Sequence, residues 1–191
     1  MKRSLGFIII GATVLATNAS AVLINFDDGQ PNLTPIGSFY SGVGVTFTNA
    51  QWKTSSGLLG TSGSQSINSI SDASKTQQSN PIVATFAFEV SSVTLRGIDV
   101  GNAGFRLKAF DGSDVLIDNQ VAFGTTGGFN QFFDLTVAGA IRRIEFSQDQ
   151  STSDTSFYDN LSFTPAPVPE PMTMAALTMG CLALLRRKKS R

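Results

Sequence analysis

Between residues 22 and 165 the chain is a series of short segments with alternating apolar residues, separated by turns rich in Gly, Asp and Ser. Segment 82–90 is the clearest, because Ile82, Ala84, Phe86, Phe88 and Val90 fall on one face of an extended strand. The other candidate strands are residues 22–27, 43–49, 93–100, 105–110, 115–117, 132–137, 141–146 and 157–163. This pattern predicts an all-β domain, an antiparallel β-sandwich of jelly-roll-like form, over residues 22–165.

Residues 111–114, with the sequence Asp-Gly-Ser-Asp, lie between two of these strands. They predict a hairpin, because an Asp-Gly pair suits a turn that needs a positive φ. The chain has 15 phenylalanines, and all except Phe7 lie outside the N-terminal segment. They are the simplest source of the core of the sandwich.

Residues 50–81 interrupt the pattern with a stretch rich in Ser, Gly, Gln and Asn, and we interpret it as a long loop that contains at most a short strand near residues 64–67. Trp52, the only tryptophan, opens this stretch. It is a candidate ligand-binding residue, a platform on which a sugar stacks. The alternative, which we favour, is a core or edge aromatic.

The N-terminal segment predicts a cleaved secretory signal peptide over residues 1–21. Lys2 and Arg3 supply its positive charge, residues 5–16 are apolar, and Ala19-Ser20-Ala21 is a small-x-small cleavage site that leaves Val22 as the first mature residue. The expected partners are the Sec machinery and signal peptidase. An uncleaved anchor helix is the alternative, although the apolar run is short for a span.

The C-terminal segment, residues 166–191, contains an uncharged stretch at 172–185 and a basic tail at 186–191. The stretch would cover about 21 Å of a hydrocarbon core about 30 Å thick. A segment of this length alone is more often a buried helix. The basic tail after it favours a transmembrane helix, with the tail in the cytoplasm and the body of the protein outside.

Removing both terminal segments changes the charge of the chain. Seven of the 14 basic residues and one of the 14 acidic residues lie in those segments, so residues 22–168 hold seven basic and 13 acidic residues, a net charge of about −6. This acidity argues against nucleic acid as a partner, which needs a basic surface.

The chain has no histidine, and its single cysteine, Cys181, lies in the C-terminal segment. The body therefore has no imidazole base and no thiolate nucleophile, which excludes Ser-His-Asp and Cys-His catalysis and the usual zinc sites. Chemistry that uses carboxylates alone remains open, because glycosidases need only two Asp or Glu residues.

Val168-Pro169-Glu170-Pro171, followed by an apolar stretch and a basic end, resembles the PEP-CTERM sorting signal of Gram-negative bacteria. The resemblance implies recognition by an exosortase, transient anchoring in the inner membrane, and then delivery to the cell surface, the outer membrane or an extracellular matrix. It also implies a host that makes exopolysaccharide and often a biofilm. The alternative for the prolines is a rigid, extended linker.

The body resembles the lectin-like, carbohydrate-binding sandwich domains that often precede such tails. The resemblance is based on residues 25–28 (Asn-Phe-Asp-Asp), 40–47 (Tyr-Ser-Gly-Val-Gly-Val-Thr-Phe) and 157–163 (Phe-Tyr-Asp-Asn-Leu-Ser-Phe). It implies a calcium ion held by Asp27, Asp28 and Asp159, with Asn160 as a further ligand, since Ca²⁺ takes six to eight oxygen ligands. The alternative is that these Asp residues form turns and caps.

Two functions follow. The first is a non-catalytic, exported protein that an exosortase sorts and that associates with exopolysaccharide, with glycan or calcium as ligands. The alternative is a small glycan-active enzyme that uses carboxylates, which would need two carboxyl groups in one cleft, about 5–5.5 Å apart for retention or about 6.5–9.5 Å for inversion. No such pair stands out in the sequence, so we favour the first function.

Overall fold

A computed structural model describes residues 20–55, 57–70, 77–125, 131–150 and 155–167 of the chain. Residues Ala19–Ala166 form one compact unit. The predicted signal and transmembrane helices fall outside the described residues. Within the described ranges, no helix combines the length and the apolar character that crossing a membrane requires.

The described part of the chain is built from antiparallel strands and one short 3-10 turn at Ser41–Val43. This confirms the predicted all-β class. The strands are β1 (Val22–Ile24), β2 (Val45–Thr48), β3 (Ala50–Thr54), β4 (Gln65–Ser69), β5 (Ile82–Ile98), β6 (Phe105–Phe110), β7 (Leu116–Ala122), β8 (Phe132–Gln148) and β9 (Phe157–Pro165).

Two long strands, β5 and β8, pair along their whole length and are shared by two layers. In layer A the strand order is β2, the first part of β5, the second part of β8, β6 and the edge strand β7. In layer B the second part of β5 lies between the first part of β8 and β9. Strand β9 also pairs with β1 and with β4 of the β3–β4 hairpin. The ribbon changes layer at a bend, where the register shifts between Thr85 and Ser92.

Aromatic side chains from the two layers meet in the core, which makes the fold a sandwich. Phe86 of layer A lies 5.1 Å from Phe163 of layer B, measured between ring centroids. Phe105 and Phe146 of layer A lie 5.4 and 4.9 Å from Tyr158 of layer B. All five rings are almost fully buried. The predicted antiparallel sandwich with a phenylalanine-rich core is therefore confirmed.

The predicted breaks inside the two long strands are wrong. Residues 82–90 and 93–100 were expected as separate strands, and so were 132–137 and 141–146, but each pair is one strand. The polar pair Ser91-Ser92 does not end β5, because a register shift absorbs it at the bend. In β8, Gly139 has φ +137°, which lets the strand turn from one layer to the other.

The expectation of a long loop over residues 50–81 is also wrong for much of that stretch. Residues 50–54 and 65–69 form the β3–β4 hairpin, which includes the strand suspected near 64–67. Its apolar pattern is weak because polar side chains are buried there and bond to each other, as Gln51 Nε2 does to Asn68 Oδ1 at 3.2 Å.

Two turns differ from expectation in their details. The hairpin at residues 111–114 is confirmed, but the positive φ is at Asp114 (61°) and Gly112 has none. Strand β1 ends at Ile24 and does not reach residue 27, because Phe26 has φ +54° and turns the chain out of the sheet. That turn directs Asp27 towards the β3–β4 loop.

Candidate functional site

Two of the predicted site residues meet at one end of layer B. Asp27 follows β1, Asp159 lies on β9, and Ser62 of the β3–β4 loop lies between them. The Ser62 hydroxyl oxygen is 2.9 Å from Asp27 Oδ2 and 3.0 Å from Asp159 Oδ2, and the Ser62 N–H donates to Asp159 Oδ2 at 2.7 Å. We call these three residues the carboxylate clamp, because they hold the loop to the sheet.

Asp27 also caps the start of β4. Its Oδ1 accepts hydrogen bonds from the backbone N–H groups of Ser64 (2.9 Å) and Gln65 (3.1 Å). A Cβ at Gly63 would lie 2.4 Å from both carboxylate oxygens of Asp27, so no larger residue fits there without displacing the carboxylate. The close approach of backbone to carboxylate explains the glycine at this position.

Asp159 is fully buried. Burial raises the pKa of its carboxyl group, hydrogen bonds from Ser62 and from the N–H of Asn160 (2.7 Å) oppose the rise, and the charge of Asp27 adds to it. Asn160, the further calcium ligand implied by the resemblance, thus supplies its backbone N–H and adopts φ +50°. A buried carboxylate with several donors is a structural arrangement, since an unpaired charge would be expensive to bury.

Asp28, the third predicted calcium ligand, is directed elsewhere and accepts a hydrogen bond from the Tyr40 hydroxyl. Burial, this bond and the charges of Asp28, Asp27 and Asp159 raise the pKa of Tyr40. In the ranges that the structure describes, no group of three or more His, Cys, Asp or Glu side chains is placed to hold a metal ion.

These contacts do not fit a calcium ion held by Asp27, Asp28 and Asp159 together. All four oxygens of Asp27 and Asp159 lie within hydrogen-bond distance of donors of the protein itself. Calcium would share these oxygens with the protein donors and would need further ligands, because Asp27 and Asp159 supply at most four of the six to eight oxygens that the ion takes. Calcium binding stays a prediction of the sequence.

Trp52 lies in the core beside the clamp. It is 1% exposed, and its ring stacks on Tyr40 at 5.9 Å and meets Phe39 edge-on at 5.0 Å. Its Nε1 has no hydrogen-bond partner among the residues described. The ring has no face open to a sugar in this conformation, which agrees with the interpretation of Trp52 as a core aromatic.

A second set of contacts on the same loop was not predicted. Arg96 of β5 forms a bidentate ion pair with Asp134 of β8 (2.8 Å for both contacts) and donates from Nη1 to the carbonyl of Gly60 at 3.2 Å. Its guanidinium lies 4.8 Å from the ring centre of Phe132, which covers Gly60. Neither partner of Arg96 is near it in sequence, so only the strand register could have indicated this group.

The remaining predicted site residues belong to the terminal segments. Ala21 is exposed and directly precedes β1. Ala19 of the cleavage site and Val168, Pro169, Glu170 and Pro171 of the sorting motif lie outside the described residues, and their roles stay predictions.

Comparisons with known proteins give similarity of fold only. No family profile and no curated protein sequence matches this chain. Among solved structures, the K2 cleaved adhesin domain of Lys-gingipain is 10% identical, with a TM-score of 0.49, over 76% of this chain and 99% of that domain. The K1 adhesin domain of Lys-gingipain from Porphyromonas gingivalis W83 is 11% identical, with a TM-score of 0.48, over 77% of this chain and 99% of that one.

A third solved structure is the family 11 carbohydrate-binding module of the cellulosomal cellulase Lic26A-Cel5E of Clostridium thermocellum. It is 7% identical and has a TM-score of 0.35, over 78% of this chain and 97% of that module. Similarities of this size do not identify a ligand or an activity.

Proposed function

We propose that this protein is an exported, non-catalytic β-sandwich module that an exosortase-type system sorts to the surface or extracellular matrix of a Gram-negative bacterium, where it associates with exopolysaccharide. The observation that carries the proposal is the order of segments in the chain. A secretory signal peptide, a compact unit that ends at Ala166, the motif at 168–171, an apolar stretch and a basic tail follow one another directly.

The geometry of the clamp supports a non-catalytic body. A general acid or base must reach the proton that it transfers. Asp159 is fully buried, and both Asp27 and Asp159 are committed to donors in the β3–β4 loop. The two carboxylates hold the backbone of the loop in place, and this structural role explains their proximity without a bound substrate.

The sorting part of the proposal is tested in a Gram-negative host that carries an exosortase and in the same host without that enzyme. The full chain is expected at the surface or in the matrix of the first host and in the inner membrane of the second. Deleting residues 169–191 is expected to release the body in soluble form. A variant that lacks only residues 186–191 separates the basic tail from the motif, and unchanged surface retention after the full deletion would contradict the proposal.

A further inference from the structure

The bend between the two layers carries an exposed apolar surface. Val115, Leu116 and Ile117 follow the hairpin turn, and Leu116 and Ile117 are 50% and 38% exposed. Ile117 lies against Gly139, with its Cδ1 2.9 Å from the position of a Cβ there. We call Val115, Leu116, Ile117 and the small exposed residues 138–140 the bend patch.

A register shift places these side chains outside the core. Ala109 pairs with Asp118, and Phe110 pairs with Leu116, so Ile117 is an extra residue in β7. In a regular strand, one of two consecutive residues would face inward, whereas an extra residue changes this alternation. Contiguous apolar side chains that remain exposed in a folded domain indicate a contact surface.

The chain leaves the sandwich beside this patch. Pro165 pairs with Val90 of β5, Val90 pairs with Ile141 of β8, and the Ala166 N–H donates to the carbonyl of Glu89 at 2.8 Å. Since neighbouring strands lie about 4.8 Å apart, Ile141 is about 10 Å from Pro165. Residues 138–140 immediately precede Ile141, so the exit of the chain and the patch share one end of the molecule.

Only five residues, 167–171, connect Ala166 to the apolar stretch that begins at Met172. Five residues span less than about 20 Å even when fully extended. While residues 172–185 are in the bilayer, Ala166 therefore lies within about 20 Å of the start of the span, and residues 138–140, about 10 Å from the exit, lie within about 30 Å of it. The clamp is farther from the exit, because Arg96 pairs with Asp159 and the six steps from Val90 to Arg96 along β5 cover about 20 Å.

We infer that the bend patch contacts the interfacial region of the lipid bilayer while the C-terminal stretch is inserted. This inference rests on the proposed function, because it requires the membrane-inserted stage. The apolar side chains of the patch suit the boundary between headgroups and acyl chains, where burial of apolar area drives binding. Such a contact would orient the body and present the intervening motif at the membrane surface.

The test uses the full chain with Cys181→Ser, in which a single cysteine carries an environment-sensitive fluorophore. Leu116→Cys reports on the patch, and Val115→Cys provides a second position if the first variant folds poorly. Leu59→Cys is the matched control, because Leu59 is 55% exposed on the β3–β4 loop, beside Gly60 of the clamp end. Each variant is reconstituted into phosphatidylcholine vesicles with and without spin-labelled lipid.

We expect quenching by the spin-labelled lipid at residue 116 to exceed quenching at residue 59 by about twofold or more. Equal quenching, on vesicles that still float with the protein, would overturn the inference and leave the proposed function intact. A full chain that fails to float would remove the inserted stage and with it both proposals. If the fluorophore at residue 116 already reports an apolar environment in the absence of vesicles, the patch would be assigned to contact with a second copy of the chain, and the bilayer contact would be overturned.

Discussion

The clamp end and the bend end of the sandwich differ in which side chains they bury and which they expose. At the clamp end a polar loop, which also exposes Leu59, is fixed by the half-buried carboxylate of Asp27 and the buried carboxylate of Asp159. At the bend end apolar side chains are left in solvent, although the core beneath them is closed. Buried polar groups need hydrogen-bond partners within the fold, and the clamp has them. The contacts within the folded domain give no reason for the exposed apolar side chains at the bend.

The comparison assigns different roles to sequence features that look alike. Asp27 and Asp159 resemble ligand residues in the sequence, but their contacts are internal. Leu116 and Ile117 resemble an ordinary strand, but a register shift turns them outward. Substitutions at the clamp should therefore affect stability, whereas substitutions at the bend patch should affect association and leave stability almost unchanged.

The largest effect is expected from Asp159→Ala. The change leaves the backbone N–H groups of Ser62 and Asn160 without their acceptor in a buried site, whereas the Ser62 hydroxyl keeps Asp27 Oδ2 within hydrogen-bond distance. We expect a loss of about 3 kcal/mol in the free energy of unfolding, measured by urea denaturation. Asp114→Asn is the control, because the Asp114 side chain is 77% exposed, its ion pair with Arg143 contributes at most about 1 kcal/mol, and Asn tolerates the positive φ at this position. Equal losses in the two variants would show that the clamp does not stabilise the fold.

A smaller loss is expected from Gly63→Ala. The added methyl group would overlap the Asp27 carboxylate, which would have to move away from Ser64 and Gln65. Overpacking of this kind costs about 2 kcal/mol. Gly42→Ala is the control, because a Cβ at that position meets nothing within 4 Å and its φ is not positive. A Gly63→Ala variant as stable as Gly42→Ala would mean that the carboxylate moves freely.

The sequence was sufficient for the features that depend on local pattern. Alternation in β5, β6 and β9 predicted the all-β class, and the Asp-Gly turn predicted the β6–β7 hairpin. The sequence failed where tertiary contacts change the local rule. Strand β3 was missed because its outward side chain Gln51 is polar yet buried against Asn68.

The candidate site was predictable only in part. The resemblance brought Asp27 and Asp159 together correctly, but their link through Ser62 depends on how the β3–β4 loop folds, 35 residues from Asp27 and 97 from Asp159. Asp28 next to Asp27 was grouped with it by adjacency, although the turn at Phe26 directs the two side chains to different partners. A distant contact such as Arg96 with Gly60 has no local signal at all.

The pH dependence of stability should have opposite signs at the two ends. Burial raises the pKa of the Asp159 carboxyl group in the folded state. Its contribution to the free energy of unfolding is therefore fully present below the pKa of the unfolded state, about 3.9, and is lost as pH rises through the raised pKa. Partial burial would raise the pKa of Asp118, at the bend, but hydrogen bonds from Ala138, Gln120 and Asn119 outweigh it and lower the pKa. The contribution of Asp118 is present above about 3.9 and is lost as pH falls through the lowered pKa.

Urea titrations between about pH 3 and pH 7 measure this difference. The stability of the wild type relative to Asp159→Asn should fall with rising pH, and its stability relative to Asp118→Asn should rise. The same sign for both variants would contradict the assignment of a raised pKa to the clamp.

Calcium should have little effect on the closed clamp. The donors of Ser62, Ser64, Gln65 and Asn160 already bond to the carboxylate oxygens, so calcium would compete with them for the same groups. We expect calcium to raise the Tm by less than about 1 °C at millimolar concentration, relative to chelator. A larger rise that Asp27→Asn abolishes would show that calcium opens the clamp and binds there, as the sequence resemblance implies.

The smallest effect is expected at Trp52. Its ring is 1% exposed and is packed against Phe39 and Tyr40, so a polysaccharide has no access to it. As the only tryptophan, it reports on its own surroundings in the emission spectrum, which should shift to longer wavelength on unfolding as the ring enters water. Adding host exopolysaccharide should leave the emission of the folded protein unchanged even when binding is detected by sedimentation. A saccharide-dependent shift would mean that the aromatic cluster beside the clamp opens, and would restore Trp52 as a ligand-binding residue.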